Sequence, residues 1–339
     1  MKIICSHCGQ RYSVAEERIK QFGNHVIFPC PSCKNKIEIN LADQSPTPSE
    51  RSPQLQQRAT GEELIKMILR SVKDLPAMPQ VAERARKILA DKNCSFSMVA
   101  HIIEADQAIA TKVLKLANSA FYSIMGTVTS IQHAAMVLGT KTLYQVLQIA
   151  CAEPVLSARL PGYGQNSGDL WRHSLAVAAC SRAIAKRRNP SIIDDGFSAG
   201  LLHDCGKLIL DPYLGARSEA FQNCLVQDKK NVFEAERILL GVDHAHIAAY
   251  VCEKWQIPKQ LFTAIQYHHT PSLLRVHELA FIVHLANAVM HVPDISTLRD
   301  IADIEAEPEA IKFLGLDINQ IALVWQESSD YVIKTIGSL

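Results

Sequence analysis

The sequence contains no apolar run long enough to cross a membrane. Its most apolar stretch, Leu279–Met290, is interrupted by His284 and Asn287 and is shorter than the ~20 residues that a spanning helix needs. The basic and apolar segments of a secretory signal are also missing, since Cys5 and Cys8 stand where they would lie. We therefore expect a soluble protein of the reducing cytoplasm, with no membrane partner.

An excess of charge of one sign is missing as well. The 339 residues carry 35 Lys and Arg against 34 Asp and Glu, so the formal net charge is +1. No global basic field exists to hold nucleic acid or an anionic surface. Glycine and proline number only 15 each, which excludes collagen-like and low-complexity chains, and 48% of the residues are hydrophobic. Most of the chain is expected to fold, and an anionic partner has to be bound locally.

Two Cys-x-x-Cys pairs near the N-terminus predict a zinc site. Cys5 with Cys8 and Cys30 with Cys33 enclose 21 residues and can deliver four thiolates to one Zn²⁺. Short β-leaning runs accompany them, so we predict a small β zinc ribbon over residues 1–42, with a closed structural site. The alternative is four unligated thiols in a reducing cell. A mild excess of basic residues in this segment permits contact with nucleic acid without requiring it.

The rest of the chain divides into a linker, a helical body and a C-terminal segment. Residues 43–59 contain three prolines and almost nothing apolar, which predicts a flexible linker. Apolar residues then recur with helical spacing, so we predict an all-α body over residues 60–292. For residues 293–339 we predict an acidic loop, interpreted as a solvated surface, and a C-terminal helix that packs on the body.

Histidine and aspartate residues of the body form a candidate metal site. His203 and Asp204 are adjacent in the sequence, on a helix predicted over residues 197–210, so both reach one metal only if it lies between helices. Further donors lie on separate predicted helices, namely His173, His244, His268 and His269. Imidazoles with one carboxylate favour a transition metal such as Fe, Mn, Ni or Zn over Mg²⁺ or Ca²⁺. The alternative is that these histidines bond to backbone carbonyls and only stabilise the fold.

Two residues of this set are candidates for catalysis. Asp204 can bridge a metal pair and help to lower the pKa of a bound water. Lys207 follows His203 by one helical turn and can neutralise a phosphate oxygen. Asp169 precedes His173 by four residues and can orient its ring or bind a metal directly.

The order and spacing of these residues resemble those of the HD metal-dependent phosphohydrolase superfamily, which includes the HD-GYP cyclic di-GMP phosphodiesterases. The surrounding segments are similar to the HDOD domain, a bacterial signalling relative, at Leu75–Pro79, Ile102–Asp106, Leu116–Tyr122, Leu138–Gly139 and Trp255–Pro258. The resemblance covers about residues 74–290. It implies an all-α fold, a regulatory role with a protein signalling partner, and frequent loss of the catalytic set.

The sequence departs from the HD pattern at two places. Asn287 stands where the resemblance implies the last metal-binding aspartate, and Thr270-Pro271 follows the His268-His269 pair, so the Gly-Tyr-Pro element of HD-GYP enzymes is missing. His284 and His291 flank Asn287 on one helical face and can compensate for it.

Three functions remain open at this point. The first is a signalling module that binds a metal and a phosphate or nucleotide ligand with little or no turnover. The second is an active metal-dependent phosphohydrolase that acts on a nucleotide or cyclic dinucleotide. The third is a nucleic-acid-binding regulator led by the ribbon.

Overall fold

The computed structural model describes most of the chain after residue 60 and short segments before it. The described residues are 2–4, 11–13, 25–29, 33, 36–40, 61–73, 80–89, 95–119, 122, 127–274 and 277–337. The chain separates into two compact units, residues 1–55 and 56–339. No helix within the described ranges is long and apolar enough to cross a membrane.

Two antiparallel strand pairs make up the described part of the first unit. Strand β1 (Lys2–Ile4) pairs with β2 (Arg11–Ser13), and β3 (His25–Pro29) pairs with β4 (Lys36–Asn40). Each Cys-x-x-Cys pair therefore lies in the chain between two paired strands.

Most of the zinc-ribbon prediction lies outside the described residues. Cys5, Cys8 and Cys30 are not described, nor is the predicted linker, and Cys33 is a half-buried turn residue. The zinc site stays a prediction.

The second unit is helical, as predicted for the body. Its α-helices are α1 (Gly61–Lys73), α2 (Gln80–Leu89), α3 (Phe96–Glu104), α4 (Gln107–Ala117), α5 (Ile131–Leu156), α6 (Asp169–Arg188), α7 (Ile193–Leu202), α8 (Lys207–Gly215), α9 (Ser218–Val226), α10 (Val232–Leu240), α11 (His244–Lys254), α12 (Lys259–Gln266), α13 (Glu278–Met290), α14 (Pro308–Leu314) and α15 (Ile318–Ile336). Short 3₁₀ turns occur at Pro161–Tyr163, Pro190–Ile192, Pro271–Leu273, Ile295–Thr297 and Ile301–Asp303.

Local sequence signals explain where several helices begin or bend. Asn231 and Glu234 form a capping box at the start of α10, and the Asp243 side chain caps α11 by accepting from the backbone N–H of His246. Gly139 interrupts α5 with a φ of 77°, a conformation that a residue with a Cβ rarely adopts. The Asp243 cap therefore sets the first residue of α11, and Gly139 sets the bend in α5.

The prediction of one continuous helix over residues 197–210 is wrong in one respect. The helix is divided by a turn at residues 203–206 into α7 and α8, so the His203-Asp204 pair lies in the turn. Two further helices, α9 and α14, were not predicted from the sequence.

The core of the second unit forms where α6 packs against α7, α13 and α15. Phe197 of α7 and Tyr331 of α15 are both almost fully buried and meet edge to face, with ring centroids 6.3 Å apart. Helices α6 and α13 bury most of their residues, including Leu175 and Ile282. His173 on α6 and Asn287 on α13 are therefore polar side chains on two helices that pack against each other.

Candidate metal centre

The turn that carries His203 and Asp204 packs directly on the start of α11. A Cβ added to Gly206 would lie 2.1 Å from the backbone oxygen of His244, so only glycine fits at this contact. The approach buries His203 and Asp204, which are 0% and 1% exposed, and brings Asp204 Oδ1 to 3.1 Å from His244 Nε2.

The carboxylate of Asp204 lies between two groups of histidines. Its Oδ1 is 3.1 Å from His244 Nε2 and 4.0 Å from His268 Nε2, while its Oδ2 is 3.4 Å from His203 Nε2 and 3.7 Å from His173 Nε2. Two groups have ligand atoms within 4.8 Å of one another and could each hold a metal ion, namely His244 with His268 and His269, and His173 with His203 and Asp204. All six predicted body ligands therefore converge, and Asp204 lies where a bridging carboxylate would lie.

Two imidazole nitrogens at the centre lack a hydrogen-bond partner in the part of the chain that the structure describes. His203 and His268 donate through Nδ1 to the backbone oxygens of Gly200 and Ile265, at 2.8 and 2.7 Å. Their Nε2 atoms are buried, with no hydrogen-bond partner among the described residues. Because a buried polar atom without a partner is costly, and because both atoms face Asp204, this donor set fits a divalent metal ion.

The protonation states of Asp204 and of four of the five histidines also suit a metal, His244 being the exception. Burial lowers the pKa of His203 and of His268 to about 3, and it holds the pKa values of His173 and His269 well below the usual value. Burial by itself raises the pKa of Asp204, but its interactions with His203, Lys207 and His244 outweigh burial and keep the pKa well below its usual value. Neutral imidazoles and an ionised carboxylate are the forms that bind metals.

His244 is oriented by Glu236, a residue that was not predicted from the sequence. Glu236 is fully buried and accepts hydrogen bonds from His244 Nδ1 and the His244 backbone N–H, both at 2.7 Å, and from the Tyr163 hydroxyl at 2.6 Å. Burial lowers the pKa of His244, but the carboxylates of Glu236 and Asp204 raise it to about 9. Carboxylate–histidine pairs of this kind fix the ring of metal-binding histidines. The sequence does carry a signal for Glu236. It is an acidic residue spaced by four from both Val232 and Leu240, so it lies on the apolar side of α10, where a charged residue is unexpected.

Lys207 bonds to a residue of the centre, whereas Asp169 bonds to other residues at the start of α6. Lys207 Nζ donates to Asp204 Oδ2 at 2.6 Å and lines the adjoining cavity. The Asp169 carboxylate accepts from the Asn166 backbone N–H and from Arg172 at the start of α6, so its predicted role beside His173 is wrong.

Asn287 and His284 on α13, and His291 at its C-terminal end, are used differently. Asn287 Oδ1 is 3.0 Å from His173 Nε2, so the amide reaches the second histidine group. His284 donates through Nδ1 to the His268 backbone oxygen and accepts through Nε2 from the Glu307 N–H, both at 2.8 Å. Both nitrogens of His284 are occupied by backbone, so it cannot compensate for Asn287. The ring of His291 lies 4.6 Å from that of His173.

A cavity of about 670 Å³ opens onto the metal-ligand set. Lys207 and Lys230 line it together with Phe233. The Phe233 ring stacks on that of His269, with ring centroids 4.6 Å apart and an angle of 13° between the ring planes. Glu305 and Glu307 also line it, so this part of the acidic segment is a wall of the cavity and not merely a solvated loop.

Comparison with known proteins agrees with this architecture. The sequence model of the HDOD domain matches residues 75–271, more than half of the chain, and the chain belongs to the HDOD domain family. An uncharacterised protein of Treponema pallidum (strain Nichols) is 24% identical over 208 residues, which are 58% of this chain and 38% of that protein. The match thus spans well under half of that relative.

Solved structures share the fold. An HDOD domain protein of unknown function from Geobacter sulfurreducens has a TM-score of 0.64 at 22% identity, over 84% of this chain and 97% of that one. A protein from Shewanella amazonensis SB2B with a provisional phosphohydrolase name has a TM-score of 0.63 at 22% identity, over 80% and 97%. A provisionally named signal transduction protein from Marinobacter aquaeolei VT8 has a TM-score of 0.62 at 19% identity, over 94% and 76%.

Proposed function

We propose that this chain is a bacterial signalling protein whose helical unit holds a transition-metal centre and binds a phosphate or nucleotide ligand with little or no turnover. The observation that carries the proposal is the position of Asp204 between two histidine groups, with buried Nε2 atoms that lack a partner among the described residues. Family membership supports the regulatory role.

The cavity supports a phosphate-bearing ligand. Its volume of about 670 Å³ lies within the ~300 to 1,000 Å³ usual for small-molecule sites. Lys207 and Lys230 line it and carry positive charge, beside the carboxylates of Glu305 and Glu307. A bound transition metal supplies Lewis acidity toward a phosphate oxygen.

Low turnover is proposed because of Asn287. A neutral amide close to His173 leaves the centre about one charge more positive than an aspartate would. The added positive charge would hold a phosphate group or a phosphate product more tightly, and tighter binding of the ground state does not accelerate a reaction.

An active metal-dependent phosphohydrolase is the second candidate, favoured by the convergence of all six predicted body ligands. The full-length chain is loaded with metal, tested calorimetrically for binding of nucleotides and cyclic dinucleotides, and assayed against a panel of phosphodiesters. We expect binding that Lys207→Ala weakens, with hydrolysis barely above background. Metal-dependent turnover that His203→Ala abolishes and Asn287→Asp does not improve would favour the enzyme instead.

A further inference from the structure

His291 lies at the C-terminal end of α13 and is not one of the six predicted body ligands. We infer that His291 is a further ligand of the metal centre and supplies an imidazole nitrogen on the side of His173 and Asn287. The inference rests on the proposed metal centre and adds a donor to it.

The hydrogen bonding of His291 matches that of two residues at the centre of the site. Its Nδ1 bonds to the backbone oxygen of Asn287 at 2.8 Å, as Nδ1 of His203 bonds to Gly200 and Nδ1 of His268 to Ile265. In each case a carbonyl on the preceding turn accepts the Nδ1 proton. The tautomer so fixed leaves Nε2 with its lone pair directed away from the backbone, as metal-binding histidines require.

The position of the His291 ring also suits this role. Its centroid is 4.6 Å from that of His173, whose Nε2 lies 3.7 Å from Asp204 Oδ2. The ring lines the same cavity as Asp204 and Asn287, on its exposed side. His284, on the same helix, has no nitrogen left for a metal because backbone groups use both of its nitrogens.

The number of metal-binding atoms in each histidine group gives a further reason to assign His291 as a ligand. His244, His268 and His269 form the first group, and Oδ1 of Asp204 lies 3.1 Å from His244 Nε2 and 4.0 Å from His268 Nε2. The second group consists of His173, His203 and Asp204, so it has only three donors. A shift of the His291 imidazole toward this group gives it a fourth donor, the number of a tetrahedral transition-metal site, and an imidazole is a stronger donor than the neutral amide of Asn287.

A manganese titration tests the inference in the full-length chain. Mn²⁺ is the probe because thiolates bind it poorly, so the cysteine pairs do not interfere, and free Mn²⁺ is measured by electron paramagnetic resonance. His291→Phe keeps an aromatic ring against His173 but removes the donor. We expect two Mn²⁺ per wild-type chain, and in His291→Phe the affinity for one of them falls by about tenfold or more.

The control is His101→Phe, which replaces an exposed histidine on α3 and should bind like wild type. His291→Asp keeps a donor and should retain both ions. If His291→Phe binds both ions with wild-type affinity, the inference is overturned while the metal centre stands. If wild type binds no more Mn²⁺ than His203→Ala/Asp204→Ala, the metal centre itself fails and the inference with it.

Discussion

Asp204 and Asn287 are the two residues on which the chemistry of the centre most depends. Asp204 presents one carboxylate oxygen to each histidine group, whereas Asn287 reaches His173 with an uncharged amide oxygen at 3.0 Å. Since metal affinity at such a site grows with the charge and basicity of the donors, the second group would bind a metal less tightly than it would with an aspartate at position 287.

Asn287→Asp should strengthen metal binding because it adds a negatively charged oxygen at the position of the amide. We expect higher metal occupancy after dialysis, measured by elemental analysis. Asn319→Asp makes the same change at an exposed position of α15 and should leave occupancy unchanged. Equal occupancy in Asn287→Asp and wild type would show that Asn287 does not face the metal.

Glu236→Gln tests the residue that orients His244. Glutamine retains an acceptor for the His244 N–H and Tyr163, but the negative charge that makes the imidazole a better donor is lost. Metal affinity should fall by about 10- to 100-fold, as measured by competition with a chelator. Glu234→Gln, in the capping box of the same helix, should have little effect because glutamine also serves there. Identical affinities in the two variants would exclude the orienting role.

At the scale of elements, the predictable features are those encoded by nearby residues. The start of α10 at its capping box and the interruption of α5 at Gly139 both follow from local sequence. The turn at 203–206 was missed because its backbone stays in the helical region, with a φ of −63° at Gly206. That turn is set by tertiary packing on α11, which no local pattern encodes. The partnership of Glu236 with His244 depends in the same way on how α10 meets α11.

Gly206→Ala should displace the turn that holds Asp204 against α11. The new Cβ would lie 2.1 Å from the His244 oxygen and 2.7 Å from the Ala248 nitrogen, so backbone must move. We expect a loss of about 1 to 3 kcal/mol in unfolding free energy, measured by denaturant titration, together with weaker metal binding. Gly215→Ala, at the last residue of α8, meets nothing nearer than 3.7 Å and should be nearly neutral. A stable Gly206→Ala variant with normal metal affinity would contradict the packing account.

At the scale of the whole molecule, two separate metal sites are proposed on one chain. The helical unit collects donors from α6, α11, the turn after α12 and the turn between α7 and α8, whereas the cysteine pairs belong to the first unit. Their chemistry differs, because four thiolates make a closed structural site and imidazoles with a carboxylate leave room for a ligand.

The cysteine site is expected to bind one Zn²⁺ per chain. Cys33→Ser should lose this zinc and leave the first unit sensitive to protease, since so small a unit lacks the core to fold unaided. Cys224→Ser, a buried cysteine of α9, is the control and should keep the zinc. A first unit that contains no zinc in the wild type and still resists protease would disprove the ribbon.

The metal content of the full chain tests the central claim most directly. Wild type and His203→Ala/Asp204→Ala are purified side by side and analysed for transition metals, with circular dichroism to verify that both remain helical. We predict that the variant loses the metal of the helical unit and retains the zinc of the cysteine pairs. The same metal content in a folded variant and in wild type would show that His203 and Asp204 hold no metal, and it would contradict the account.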